Sequence, residues 1–362
     1  MVAERIAAFV IGLGLVGLAL NDVFQSVIVP RAVGRRFRPS YYLTHLLWLL
    51  WPKLAWRVHP RDNDKREDML AVFAPFNLIM ILGFWSLLLL LGYGLMLYTL
   101  RGEVRPPLES FAQALYFAGT AYFTIGFGDF VGAHGVTRLI SLAAGASGLA
   151  VVSTTTAYLF AIFGSFQTRE AFVVNVGARA GTPPSGVGLL AIAGYAGIVE
   201  SLPDVMRDAQ RWCAVVMETH LAYPTLAYFR SSHDNQSWVG TLGTLLDAST
   251  LALTTVKCNA GEARIFHNLG RHAASDLARY FGVRSTINDA GISRGEFEHA
   301  CDRLESAGYE LHERDRAWTR FSELRGEYAG SLNALAHFFS IPPLQWVGDR
   351  STLDTESAHK QS

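Results

Sequence analysis

Gly126 and Gly128 stand two residues apart in the segment Thr124-Ile125-Gly126-Phe127-Gly128-Asp129. An extended chain points successive carbonyls in opposite directions. Glycine takes positive φ at no steric cost. Glycines at alternate positions therefore undo the alternation and let a run of carbonyl oxygens face the same way. Such a row is a ladder of neutral oxygen donors, and its chemistry is the replacement of the water shell of a small cation. Little else in the chain offers chemistry. Cys213, Cys258 and Cys301 are 45 and 43 residues apart, spacings that fit no zinc motif, and are read as reduced thiols. His267 and His272, five apart, do not share a helical face. They are read as one buried and one solvated side chain. No nucleophile-base motif stands out, so the chain is expected not to be an enzyme.

A row of bare carbonyls needs elements to hold it, and the hydropathy pattern supplies them. Half of the 362 residues are hydrophobic and only 17% are charged, with the apolar runs gathered before residue 167. Lys+Arg and Asp+Glu are both 31, and that balance gives no case for a nucleic-acid partner. A membrane-crossing helix needs about 20 apolar residues. Three segments qualify: Ile6–Val29, interrupted by Asn21 and Asp22; Met69–Leu100; and Leu139–Phe166. The first is expected to be retained, since it is long and lacks a small-residue cleavage site. Residues 41–58 mix Trp48, Trp51 and Trp56 with Lys53 and Arg57, a composition suited to the membrane interface. Placing them there puts both Arg31, Arg35, Arg36, Arg38 and Arg57, Arg61, Lys65, Arg66 on the cytosolic side. Residues 101–136 are then outside and the C-terminal half inside. A true fourth span over 41–58 is the alternative, and it would leave the arginines at 31–38 outside.

Between the second and third spans, Pro106-Pro107 are positioned to start a helix and Glu109 to sit in its first turn. Residues 108–119 form a short apolar helix that cannot span. It is expected to enter the membrane and stop, with its negative C-terminal end favouring a cation.

With these flanking elements, Thr124-Ile125-Gly126-Phe127-Gly128-Asp129 resembles the selectivity filter of the potassium-channel family, T-x-G-Y/F-G-D. The resemblance covers residues 69–166. It implies a pore domain of outer helix, pore helix, filter and inner helix. It also implies potassium ions held by the carbonyls of Thr124, Ile125, Gly126 and Phe127 and the Thr124 hydroxyl, with Asp129 at the outer mouth. One chain carries one filter, so the ring implied is a homotetramer in a lipid bilayer. Three features differ from the family. Phe127 replaces the commoner tyrosine, Ala121 and Phe123 stand where threonines are usual, and Tyr116 and Phe117 stand where some members have a tryptophan pair. These touch the filter's support rather than its ion-lining atoms. Gly148 falls 20 residues after Gly128, the family's hinge position, with Gly145 as a neighbouring alternative. Close helix packing is the competing reason for a small residue there. Leu149, Val152, Thr156 and Phe160 share a face with it. They are expected to line the cavity, with Phe160 as gate, or else to pack on the outer helix.

Residues 189–219, 239–257, 261–281, 294–307 and 314–339 show helical periodicity. The fold class expected is all-α. A membrane helix covers 1–30, a cytosolic or interfacial segment 31–67, the pore domain 68–168, a Gly/Pro/Ser-rich linker 169–188, and a helical cytosolic domain 189–362. Gly186-Val187-Gly188 lacks the third glycine and the preceding strand of a dinucleotide fingerprint. The aromatic and polar stretch from His220 to Trp238 reads as a packed corner, with a ligand or partner site as the alternative. The expected function is passive potassium conduction across the cell membrane, with no cofactor beyond the permeant ion and an unassigned regulatory ligand. A poorly selective cation channel, or a receptor or scaffold with a vestigial pore, are the alternatives.

Overall fold

The computed structural model describes residues 2–29, 38–233, 236–283 and 291–347. Arg31, Arg35 and Arg36, and Asp234 and Asn235 of the aromatic stretch, lie outside the described residues. Among the described residues the fold is all-α apart from one short ribbon and two isolated bridges, and the chain divides into two compact units, 1–164 and 165–362.

In the first unit, α1 (Val2–Val23) runs against α4 (Phe73–Thr99). Their crossing is close because both helices present glycine. A Cβ on Gly12 would lie 2.6 Å from the Gly92 carbonyl oxygen, and one on Gly92 2.8 Å from the Gly12 carbonyl oxygen. Small residues let helices in lipid approach to van der Waals contact, which is what holds them together there. Asp22, which interrupts the first apolar run, is fully buried. Its carboxylate accepts from the backbone N–H and the hydroxyl of Ser40, both at 2.9 Å, and from Trp85 Nε1 at 2.8 Å. A buried carboxylate is tolerated only when so satisfied. It ties α1 and α4 to the N-terminus of α2 (Pro39–Val58). Farther along α2, Trp51 donates to the Met69 carbonyl at 2.9 Å and stacks on Phe76, while Trp48 packs edge-on against Phe73. Asp62 caps α3 (Asn63–Ala71), which leads into α4. Three helical stretches of the described residues are long and apolar enough to cross a membrane: Val2–Ile28, Asn63–Thr99 and Gly135–Ala180. α2 is not among them.

α5 (Phe111–Tyr122) is the short helix between the spans, and α6 (Gly135–Ala180) is a single helix of 46 residues. Residues 169–180, expected to begin a linker, continue α6 without a break. Val173, Val176 and Ala180 within them are buried.

The second unit holds α7 (Gly186–Tyr195), α8 (Leu202–Ala222), α9 (Trp238–Thr254), α10 (Gly261–Phe281), α11 (Arg294–Ser306), α12 (Arg314–Gly326) and α13 (Ala329–Phe338). The periodicity over 189–219 merges two helices. Gly197, with φ of +68°, turns the chain between α7 and α8, and Pro203 starts the second. The run 314–339 likewise splits where Tyr328 leaves helical geometry and its hydroxyl donates to Asp247 at 2.7 Å. Gly186 and Gly188 are packing positions rather than a phosphate loop. A Cβ on Gly186 would lie 2.6 Å from the Ala248 nitrogen, and one on Gly188 would overlap the Ala180 carbonyl oxygen.

Two buried cations organise this unit. Arg325 donates from Nε to Asp247 at 3.0 Å and from Nη2 to the Trp346 carbonyl. Arg169 pairs with Glu170 at 2.9 Å and donates to the carbonyls of Leu226 at 3.0 Å and Phe229 at 2.8 Å. Its Nη1 also lies 3.3 Å from His220 Nε2. His220 Nδ1 lies 2.8 Å from the Val216 carbonyl, so Nδ1 carries the proton and Nε2 accepts from Arg169. Burial, with the adjacent Arg169 charge adding to it, holds His220 well below its ordinary value and therefore neutral. Trp238 packs on the ring at 4.6 Å. The described part of the His220–Trp238 stretch is thus a packed corner. His267 is buried against Tyr328, and His272 is exposed. The three cysteines are free, Cys213 and Cys301 buried and Cys258 exposed.

Candidate ion pore

α5 starts later than the prolines suggest. Ser110, not Pro106-Pro107, is its N-cap, accepting from the Gln113 N–H at 3.3 Å, and Gln113 turns back to accept from the Glu109 N–H at 2.7 Å. Leu108 and Glu109 precede the helix. The signal was present in the sequence as Ser-x-x-Gln before an apolar run, a capping-box pattern.

The helix ends where the Thr124–Asp129 segment begins, and the two are hydrogen-bonded. The Thr120 carbonyl accepts from Ile125 at 2.8 Å and from Gly126 at 3.1 Å, while Thr124 donates to Ala121 at 3.0 Å. The last carbonyls of a helix carry its partial negative charge. Here that end is pinned to the start of the Thr124–Asp129 segment. Beyond it φ is +56° at Thr124, +59° at Gly126 and +81° at Gly128, and not positive at Ile125 or Phe127. Handedness therefore alternates residue by residue. Only two of the three left-handed positions are glycine, so Thr124 holds a costly conformation that the pore-helix hydrogen bonds must maintain. All six residues from Thr124 to Asp129 are exposed in the single chain.

The residues flanking the segment brace it. Tyr116 stacks on Phe127 at 6.5 Å and packs edge-on against Phe130 at 6.1 Å. Tyr116, one of the departures expected to touch the segment's support, thus packs against both Phe127 and Phe130. β1 (Val104–Arg105) pairs antiparallel with β2 (Val131–Gly132), and Thr137 Oγ1 donates to the Glu103 carbonyl at 3.1 Å. These bonds close the loop on either side of the segment.

α4 and α6 clamp α5. Tyr93 hydroxyl contacts Ser147 Oγ at 2.6 Å, and Ser86 Oγ contacts Tyr122 hydroxyl at 3.1 Å. α6 passes the end of α5 at Gly148, where a Cβ would overlap the Tyr122 carbonyl oxygen. At Gly145 a Cβ would lie 3.3 Å from the Ala121 carbonyl oxygen. α6 is helical through both glycines. Leu149, Val152, Thr156 and Phe160 do not pack on α4. They are exposed, Phe160 at 75%, while Ile140, Ala144, Val151 and Ile162 occupy the buried face. The Thr124–Asp129 segment and Gly148 are thus brought together around the end of α5. Thr156 and Phe160 lie farther down α6, on its uncovered face.

Among the described residues no group of three His, Cys, Asp or Glu side chains could hold a metal ion. The oxygen donors that the fold gathers are backbone carbonyls.

Residues 84–165 match the family model described as ion channel. No curated protein and no solved structure matches the chain. The matched segment runs from the middle of α4 through α5 and the filter segment to the end of the uncovered stretch of α6. Residues 84–165 are therefore an ion-channel pore domain, and the chain that carries them is a membrane protein.

Proposed function

We propose that four copies of this chain form a potassium-selective channel. The alternation of left-handed φ at Thr124, Gly126 and Gly128 carries this reading. It turns the carbonyls of Thr124, Ile125, Gly126 and Phe127 toward one side, where four copies would stack rings of oxygens matched to a dehydrated potassium ion. Asp129 then stands at the outer mouth. Exposure of this segment and of the Leu149, Val152, Thr156 and Phe160 face in the single chain supports further copies covering both. In purified protein reconstituted in liposomes, potassium flux is expected to exceed sodium flux at least tenfold and to be blocked by barium, which has potassium's size at twice its charge. Equal fluxes would leave a poorly selective cation channel; no flux would leave a receptor or scaffold.

The membrane in question is the cell membrane, with the second unit in the cytosol. The clustering of Arg57, Arg61, Lys65 and Arg66 before α4 supports this orientation. α2 lies in the interface rather than across the bilayer. A cysteine placed at Gly135 is expected to react with impermeant thiol reagent added outside intact cells, and one placed at Arg61 to be protected. Labelling of the residue 61 cysteine from outside would reverse the orientation.

Thr156 and Phe160, on the face of α6 below Gly148, form the gate. Phe160 lies 12 residues beyond Gly148, roughly 18 Å along the helix. Four phenylalanines at one level would make an apolar constriction that stops ions by dewetting. Phe160→Ala is expected to raise basal potassium flux severalfold, and Phe160→Asp to hold the passage wet and conducting. If Phe160→Cys and Thr156→Cys react with cytosolic thiol reagent at the same rate in open and closed channels, the gate is elsewhere.

A further inference from the structure

We infer that the cleft formed by the last turns of α6 with α7 and α8 binds a small water-borne amphipathic carboxylate. The cleft encloses about 580 Å³ and is walled by Val174 and Ala178 of α6, Leu189 and Ile192 of α7, and Leu202 and Val205 of α8. Its size and apolar lining are those of a small-molecule site between helices. One ionisable side chain, Arg179, stands on its wall. A second cavity of about 310 Å³ adjoins it between α6 and α8, and the two share Asn175, Arg179 and Val205. The polar groups thus sit where the two apolar spaces meet.

Arg179 is already oriented for a ligand. Its Nε donates to Asn175 Oδ1 at 3.0 Å, which fixes the plane of the guanidinium and leaves its terminal nitrogens and Asn175 Nδ2 as donors. A planar fork of this kind matches a carboxylate in the bidentate mode. The neighbouring charges favour an anion. Arg211 and Asp208 on the second cavity pair with each other at 2.9 Å, so Arg179 is the one cation of the shared wall with no carboxylate partner among the described residues. A ligand with a carboxylate head and an apolar body of about eight carbons would satisfy both the donors and the walls. An alcohol of equal length would meet only the walls.

Equilibrium dialysis of labelled octanoate against the full-length chain in nanodiscs, with empty nanodiscs subtracted, tests this. One saturable site per chain is expected, with no competition from octan-1-ol at the same concentration. Arg179→Gln, at an exposed side chain whose loss leaves the melting temperature unchanged, should weaken binding at least tenfold. Arg179→Lys should retain an intermediate affinity, and Ile192→Trp should fill the cleft and abolish the site. Binding no greater than to empty nanodiscs, or unchanged in Arg179→Gln, overturns the inference. So does efficient disulfide formation between copies carrying Asn175→Cys, which would mean that a second copy of the chain covers the cleft. Binding is read without ion flux, so the result does not depend on the channel reading.

Discussion

Gly126→Ala is expected to abolish potassium flux while leaving the assembly intact. Gly126 has φ of +59°, and nothing lies within 4 Å of the position its Cβ would take. Within one chain bulk is therefore not the obstacle; handedness is. A left-handed conformation costs an L-residue about 1–2 kcal/mol. In the proposed tetramer the penalty falls on four copies at one level of the pore. Relief requires φ to turn negative, and that rotates the Ile125–Gly126 peptide and takes a carbonyl out of the row. The Thr120 carbonyl, which accepts from the N–H groups of Ile125 and Gly126, loses its geometry in the same movement. Thr124 shows that a side chain can be held at positive φ, but it sits directly against the end of α5, where three hydrogen bonds bracket it. Gly135→Ala is the control, since it also meets open space but lies at the start of α6 without positive φ. Liposome flux and size-exclusion profiles of the two variants give the answer. Flux from Gly126→Ala within twofold of the wild type would remove the carbonyl ladder as the conducting element.

What could be read from the sequence was whatever is encoded over short distances. The hexapeptide from Thr124 to Asp129 carries its own backbone geometry, because glycine spacing and φ are local. The spans were legible because hydropathy is a sum over neighbours. The contacts that position these parts were not. Asp22 looked like an interruption of an apolar run, yet its partners Ser40 and Trp85 are 18 and 63 residues away. Arg169 looked like the start of a polar linker, yet it is buried because Leu226 and Phe229 present carbonyls 57 and 60 residues on. A buried cation inside a continuous helix leaves no periodic trace when its partners are turn carbonyls. Tyr116 was legible as part of the segment's support, but the residues it packs against were not. Its packing on Phe127 and Phe130 depends on how the segment folds back over α5. The Ser110 cap is different in kind, because its signature was local and legible beside the more conspicuous prolines.

The glycines of α6 give the second large effect. The sequence offers two reasons for Gly148, a hinge and a close packing, and they predict opposite behaviour for Gly148→Ala. As a hinge alone, the position has room for a methyl group; alanine would stiffen the helix and change open probability without loss of stability. As a contact, it has no room. The methyl group would overlap the Tyr122 carbonyl oxygen, and the obstruction is backbone, which cannot rotate away as a side chain can. Overpacking of a close contact typically costs about 1–3 kcal/mol and forces a backbone shift. Tyr122 is the last residue of α5, two before Thr124, so the shift is delivered to the base of the filter segment. Three alanine variants along one helix then form a graded series. Gly148→Ala is expected to lower the melting temperature by several degrees and potassium flux at least tenfold. Gly145→Ala, where the approach to the Ala121 carbonyl is 3.3 Å, should show a small fraction of both effects. Gly164→Ala, which meets nothing within 4 Å, should match the wild type or exceed its stability, since alanine is the better helix former by about 1 kcal/mol. Thermal unfolding of the purified variants ranks them independently of flux. If Gly148→Ala melts with the wild type and only its open probability moves, the helices part easily at this crossing and Gly148 is a hinge; if it melts first of the three, the glycine is there to let α6 reach the end of the pore helix.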